Sequence, residues 1–374
     1  MLRVVNIVGT RPNLVKMAAL LAAQRARSDV FAPLLVHTGQ HGDPAMSQQL
    51  FTELELPAPD LALVGDAGGQ ARQIGRMLVE LEEVLTGFRP DLVVVVGDVN
   101  STAAGALAAT MLGIPVAHVE AGLRSFDRTM PEERNRVIVD AVSDVLFASE
   151  ASGVANLVRE GRPATAIHHV GNVMIDALIR FRPRAAGRAP AAARGVDGPY
   201  GVLTLHRPSN VDHPAALGSL LRMAGEAARR LPIVFPVHPR TRDRLDVFGL
   251  GQALAHVPGL CVTAPLGYLD MLALLEHARL VLTDSGGVQE ETTYLGVPCL
   301  TLRDSTERPA TVTDGTNRVV GVQPERVLAE IQRVLDGDQP PRRRPALWDG
   351  CAAERVAEVL AALCGSAGAL AARG

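Results

Sequence analysis

Apolar runs of strand length alternate with amphipathic stretches of helix length along this chain, and the alternation starts afresh midway. In the first half the strand-like runs are Val4–Val8, Ala32–His37, Leu92–Val96, Ile114–Val119 and Val145–Ala148. Helical stretches fall between them at Leu14–Arg25, Arg72–Leu85, Ser101–Leu112 and Glu132–Val142. Repeated strand–helix–strand order has one common solution, a parallel sheet with helices on both faces. Leu92–Val96 is apolar at every position, as a strand covered on both faces must be.

Around Arg180–Gly198 the composition turns to Arg, Ala, Pro and Gly, which reads as a linker or hinge. Beyond it come strands Val202–Leu205, Ile233–Val237, Leu260–Thr263, Leu280–Thr283 and Pro298–Leu302, with helices Pro214–Arg230, Leu269–His277 and Val288–Leu295. The expectation is an α/β protein of two Rossmann-like, doubly wound parallel-sheet domains, residues 1–180 and 181–350, facing an interdomain cleft. A last helix, Ala352–Leu363 within residues 351–374, can pack on either domain. The 374 residues suffice for two cores. A net charge of −3 with both signs interspersed offers no electrostatic case for nucleic acid. No apolar run reaches the length of a membrane span, and MLRVVNIVGTRPN runs from a strand into a turn and lacks the apolar core of a leader. Cys261, Cys299, Cys351 and Cys364 show no CxxC spacing, as expected of a protein in the reducing cytoplasm.

Ligands of open parallel sheets gather at the carboxyl ends of the strands. Polar residues just past each strand run are therefore the candidates. The turn Gly9-Thr10-Arg11-Pro12-Asn13 opens a helix, with Lys16 one turn on, and suits an anion unless Arg11 is merely solvated. GxGxxG is absent, so no nicotinamide cofactor is indicated. Asp98, just beyond the end of Leu92–Val96 in the turn Gly97-Asp98, reads equally as a helix cap or a functional carboxylate. The stretch His118–Arg136, HVEAGLRSFDRTMPEERNR, holds charges that folding does not require: Glu120, Arg124, Glu132, Glu133 and Arg136. Pro131 marks a first helical turn, where Glu133 reads as a carboxylate on the positive end of the dipole. Glu120 and Glu132 are read as functional. In Asp284-Ser285-Gly286-Gly287-Val288-Gln289-Glu290-Glu291 the glycines let N–H groups approach a phosphate, Ser285 adds a hydroxyl, and Glu291 lies within reach of a ribose. His206 and His238 end strands without the HxH or HxxxH spacing of metal ligands, so a phosphate or sugar contact is the economical reading.

With these residues assembled, the chain resembles the non-hydrolysing UDP-N-acetylglucosamine 2-epimerases over nearly its whole length. The resemblance is carried by Gly9-Thr10-Arg11-Pro12, Thr38-Gly39-Gln40-His41, Gly97-Asp98, His118-Val119-Glu120-Ala121-Gly122-Leu123-Arg124, Pro131-Glu132-Glu133, Asn135-Arg136, Gly171-Asn172, His206-Arg207, Pro236-Val237-His238, Asp284–Glu291, Thr306–Pro309 and Trp348-Asp349-Gly350. It implies the two-domain architecture of B-type glycosyltransferases, interconversion of UDP-GlcNAc and UDP-ManNAc, no cofactor, and a homodimer. It points to Asp98, Glu120, Glu132 and His206 for catalysis, and to Arg11, Ser285, Gly286, Gly287 and Glu291 for UDP. Lys16 and Arg136 are further cations the chain offers. An activating second UDP-sugar would be held by Gln40, His41, Asp43, Arg76 and His238. Asn13 and Ala310 stand where the best-characterised branch has Glu, and Asp43 where it has Gln.

The chemistry agrees with that implication. The sugar C2–H is not beside a carbonyl, so direct deprotonation is difficult. If UDP leaves C1 while a base takes the C2 proton, a 2-acetamidoglucal forms; protonation on the other face and re-addition of UDP invert C2. This needs acid/base groups on both faces and donors for the departing pyrophosphate. Other readings are an epimerase of a related UDP-2,3-diacetamido sugar, a hydrolysing 2-epimerase, a B-type glycosyltransferase and a non-catalytic nucleotide-sugar sensor.

Overall fold

Seven parallel strands form the first sheet in the computed structural model, which describes residues 1–40, 44–65, 68–254, 256–338 and 343–365. They are β1 (Leu2–Val8), β2 (Phe31–His37), β3 (Leu61–Ala62), β4 (Leu92–Val96), β5 (Val116–Ala121), β6 (Val145–Ala148) and β7 (Ile167–His169), in the spatial order β3-β2-β1-β4-β5-β6-β7. The order reverses between β1 and β4. There neighbouring turns diverge, and a crevice opens at the carboxyl ends. The turns at that point are Gly9-Thr10 and Gly97-Asp98.

This sheet belongs to a unit made of Met1–Arg180 and Ala346–Gly374. Its core joins Val5, Ile7, Val93 and Val95 of the sheet to Met77, Leu81 and Leu85, which are spaced four apart on the helix Gln70–Phe88. The helix Asn100–Met111 lies close to the sheet because its buried face is small, from Ala103 to Ala109. A Cβ on Gly105 would stand 2.8 Å from Ile7 Cδ1 and 3.0 Å from Val95 Cγ1. The helix Ala352–Gly365 packs in this unit. Asp176 accepts from the Ala353 N–H at 2.6 Å, and Arg27 pairs with Glu358 at 3.2 Å. Burial pushes the Asp176 carboxyl up to about 6, against the Ala353 and Ala352 N–H groups that favour its charge.

The second unit, Phe181–Pro345, has six parallel strands. These are β8 (Gly201–Thr204), β9 (Ile233–Pro236), β10 (Leu260–Thr263), β11 (Leu280–Thr283), β12 (Cys299–Thr301) and β13 (Asn317–Val319), ordered β10-β9-β8-β11-β12-β13. Leu203, Phe235, Leu282 and Leu300 build its core with Leu220 and Ile331 from flanking helices. The reversal falls between β8 and β11, where His206-Arg207 and Asp284-Ser285 follow the strands. Both units thus have the doubly wound order expected from the alternation.

Several elements were not anticipated. β3, β7 and β13 span two or three residues, too few for any periodic signal, and β7 contains two histidines. The helix Pro324–Leu335 buries Val327, Ile331 and Val334, a spacing that was readable in the sequence. The linker stretch is partly regular: Arg180–Ala185 ends the helix Val173–Ala185 despite Pro183, and a 3-10 turn follows at Ala192–Arg194. Among the described residues no helix is long and apolar enough to cross a membrane.

Gly105→Val should overpack the helix–sheet contact and lower stability by about 1–3 kcal/mol. Urea unfolding checks it. An unchanged midpoint would mean the helix can shift off the sheet.

Candidate active site

In the first unit the site is built on the carboxyl ends of β4 and β5. Glu120 is buried within the last residues of β5, and its φ of +75° is one that side chains rarely adopt. The strand is irregular at that position, with the pairing to β6 shifting between Val119 and Ala121. Such an irregularity re-aims a side chain. Glu120 meets Lys16 in a buried ion pair. A Cβ on Gly97 would lie 3.3 Å from Lys16 Nζ and 3.7 Å from Glu120 Oε2. The turn before Asp98, the carboxylate of Glu120 and the ammonium of Lys16 therefore share one place. Asn13 joins them, donating to the Val96 carbonyl at 2.8 Å and accepting from the Thr10 hydroxyl at 2.8 Å.

The helix Pro131–Val142 turns a largely polar face inward: Glu133, Asn135, Arg136 and Asp140 are buried beside the apolar Val139. Arg136 donates through Nε and Nη2 to one Asp98 oxygen at 3.0 and 2.8 Å, and Asn135 donates to the Asp98 carbonyl at 2.9 Å. Arg136 also pairs with Glu133. Glu133 is a structural clasp, accepting the Ser125 and Phe126 N–H groups at 2.9 and 2.8 Å and so fixing the loop before the helix. Behind these residues Asp140 accepts from His118 at 2.7 Å, from Arg124 at 2.7 Å and from the Gly122 N–H at 2.9 Å. Burial opposes the Asp140 charge. The His118 imidazole and the Arg124 guanidinium outweigh it and hold the carboxyl below its ordinary range.

In the second unit Asp284 organises the turn after β11. It is fully buried and accepts the His206 N–H at 3.0 Å, the Arg207 N–H at 2.9 Å, Asn210 Nδ2 at 3.1 Å and His206 Nδ1 at 2.8 Å. Burial again opposes the charge, but the imidazole and these N–H groups lower its pKa to about 2. With Nδ1 committed, the half-buried ring of His206 is left Nε2 for a ligand. Ser285 stands at the N-cap position of the helix Gly286–Leu295 without a side-chain cap hydrogen bond, and its N–H donates to Thr283 Oγ1 at 3.0 Å. Gly286 cannot bear a side chain without moving Arg308, since a Cβ would lie 2.3 Å from Arg308 Nη1. Arg308 is itself held by Glu290 and Glu307, both buried. Gln289 ties in the loop beyond, accepting from Thr306 at 2.6 Å and Asn317 at 3.0 Å.

Among the residues predicted from sequence, Asp98, Glu120, Lys16 and Arg136 come together in unit 1, and His206, Ser285, Gly286 and Gly287 in unit 2. Arg11 is half-buried at the start of its helix, Glu132 is half-buried beside Glu133, and Glu291 is buried one turn beyond Gly287. Gln40 accepts from Ser101 and lines a small pocket with Thr38, Val64, Gln73, Arg76 and Met77. Arg76 also pairs with Glu80 at 2.9 Å. His238 is in unit 2, its ring centroid 5.3 Å from that of His206. His41 and Asp43 lie outside the described residues. Among the described residues no cluster of three or more His, Cys, Asp or Glu side chains is placed to hold a metal. Sequence reasoning missed the supporting roles of His118, Asp140, Asp284 and Glu307. One signal was present: Glu133, Arg136 and Asp140 recur at helical spacing, a polar stripe on one helix face.

The UDP-N-acetylglucosamine 2-epimerase family model matches residues 23–361. This chain belongs to that family. The epimerase is 41% identical over 361 residues to a Methanocaldococcus jannaschii protein named UDP-N-acetylglucosamine 2-epimerase, covering 95% of this chain and 97% of the relative. It is 40% identical over 365 residues to the UDP-2,3-diacetamido-2,3-dideoxy-D-glucuronate 2-epimerase of Pseudomonas aeruginosa, covering 97% and 100%. The crystal structure of the M. jannaschii UDP-GlcNAc 2-epimerase in complex with UDP-GlcNAc and UDP superposes with a TM-score of 0.90 at 41% identity, covering 96% of this chain and 99% of that one. The two parallel-sheet units of this epimerase are thus those of a glycosyltransferase B-like fold.

Because the folded pKa of Asp284 is depressed from 3.8 to about 2, its contribution is fully present above about pH 4 and lost as the pH falls toward 2. Asp284→Asn should therefore cost about 2 kcal/mol at pH 7. Denaturant unfolding at pH 7 and pH 3 should show the gap to wild type narrowing at the lower pH. A gap independent of pH would remove the charge from the explanation.

Proposed function

We propose that this epimerase is of the non-hydrolysing kind, interconverting UDP-GlcNAc and UDP-ManNAc by elimination and re-addition of UDP. The observation that carries the reading is Glu120, an acid held at positive φ at the end of β5, paired with Lys16 and packed beside the turn that presents Asp98. Spending an unfavourable backbone conformation on a buried, paired carboxylate makes sense if that carboxylate has a reaction to perform.

In this reading one carboxylate removes the C2 proton as the C1–O bond breaks, its electron pair leaving on the β-phosphate oxygen of UDP. The C2–H electrons form the C1=C2 bond of 2-acetamidoglucal. A second carboxylate, protonated, delivers a proton to the opposite face of C2, and the UDP oxygen re-attacks C1. Asp98, Glu120 and Glu132 are the acid/base set. Arg136 orients the Asp98 carboxylate through two N–H groups. His206 donates from Nε2 to the departing pyrophosphate, with Asp284 stabilising the cationic ring as charge develops. The N–H groups at the start of the helix Gly286–Leu295 bind the same anion, Arg11 and Lys16 add positive charge, and Glu291 takes the ribose. We further propose that the enzyme is a cytoplasmic homodimer and that Gln40, His41, Asp43, Arg76 and His238 hold an activating UDP-sugar.

The P. aeruginosa relative supports a second reading, the same C2 chemistry on a UDP-2,3-diacetamido sugar acid, differing at C3 and C6. Incubation with each nucleotide sugar in D₂O, followed by NMR, decides between them. Deuterium at C2 of a UDP-linked epimer identifies the substrate. Free ManNAc with UDP would overturn the non-hydrolysing reading, and turnover only with an added acceptor sugar would favour a transferase. Glu120→Gln and Asp98→Asn should each cut kcat by roughly 10²–10⁴ while leaving UDP affinity nearly intact. Calorimetric UDP titration with single-turnover kinetics measures both, and wild-type rates would strike that residue from the mechanism.

A further inference from the structure

We propose that His118 is a positioning residue, whose ring, protonated on both nitrogens, pins the peptide ahead of Asp98 and, through Asp140, the turn that follows Glu120. The inference rests on the reading of Asp98 and Glu120 as the acid/base pair.

His118 has no solvent exposure. Its Nε2 lies 2.8 Å from the Gly97 carbonyl oxygen and its Nδ1 lies 2.7 Å from Asp140 Oδ1. A carbonyl oxygen only accepts, so Nε2 carries a proton. Asp140, ionised beside Arg124, also only accepts, so Nδ1 carries one too. A neutral ring could satisfy one of these neighbours, never both. The imidazolium is balanced locally: His118 and Arg124 face Asp140 and Glu160, two cations to two anions.

What this network touches is backbone, at two places. Gly97 has a φ of +71° and its N–H already donates to the Val119 carbonyl at 3.0 Å. His118 takes the other side of the same residue, so β5 grips the turn after β4 by both its N–H and its carbonyl. On the far side of Asp140, Oδ2 accepts the N–H of Gly122, whose φ is +81°. One ion pair thus bridges the turn that presents Asp98 and the turn that closes behind Glu120. An apolar side chain of equal volume would serve the core as well. What the imidazolium adds is direction at two backbone groups.

Two measurements test this. In ¹⁵N-edited NMR of the imidazole-labelled, substrate-free protein, two slowly exchanging ring N–H protons should be seen and should vanish in His118→Gln. One N–H and one bare ring nitrogen would overturn the proposal. In steady-state kinetics His118→Phe should lower kcat about 100-fold with KM little changed, the scale expected of a misplaced reacting group. His118→Gln, whose amide N–H can reach the Gly97 carbonyl, should recover roughly five- to tenfold, the worth of one hydrogen bond. A kcat loss equal in both variants and tracking only the folded fraction measured by circular dichroism would overturn it, as would wild-type kcat in both. If His118→Phe does not fold, the isosteric Asp140→Asn takes its place: loss of one ring proton and a lowered kcat support the proposal, and an unchanged kcat overturns it. Wild-type protein that leaves both nucleotide sugars untouched in D₂O overturns the functional reading and this inference with it. Active wild type with unaltered variants overturns the inference alone.

Discussion

A charge taken out of water must meet an opposite charge or several hydrogen bonds, or the chain will not fold around it. That constraint shapes the candidate site residues within each unit of this epimerase. Glu120 meets Lys16, Asp98 and Glu133 share Arg136, Asp140 lies between His118 and Arg124, and Asp284 gathers four donors around His206. Buried pairs of this kind add little net stability over apolar residues of the same size. Their effect is geometric. Each carboxylate has one place where its partners reach it, and the backbone must conform, even at the positive φ of Glu120.

The same logic is written twice on the same topology. Each sheet reverses its strand order beside its first strand, and each reversal leaves two turns diverging at the carboxyl ends. In the first unit those turns bring acids, each with a basic partner. In the second they bring a histidine on a buried aspartate and the start of the helix Gly286–Leu295, the equipment for an anion.

Much of the fold was legible in the chain. The clearest of the readable strands, such as Leu92–Val96, are buried on both faces, because covering both faces demands an unbroken apolar run. The short strands Leu61–Ala62, Ile167–His169 and Asn317–Val319 were not, since two or three residues carry no period. Among the candidate site residues, Asp98, Glu120 and Ser285–Gly287 stood out because polar groups just after apolar strands lie where open parallel sheets bind ligands. Glu133 shows the limit of that reasoning. It sits in the first turn of its helix as expected of a dipole residue, and it is also the clasp for the backbone of Ser125 and Phe126. His118 and Asp140 gave no signal singly, because one histidine in an apolar strand and one aspartate in a helix are ordinary.

The sequence by itself determined that there would be two doubly wound sheets and which strand ends would carry charge, because both follow from local periodicity and residue type. Only the tertiary structure decided which charge answers which. Lys16 lies more than a hundred residues from Glu120, and Asp98 reaches Arg136 only because β4 and the helix Pro131–Val142 fold to the same place. Pairing is a matter of distance in space. A one-dimensional pattern lists the ions, and burial in three dimensions chooses their partners.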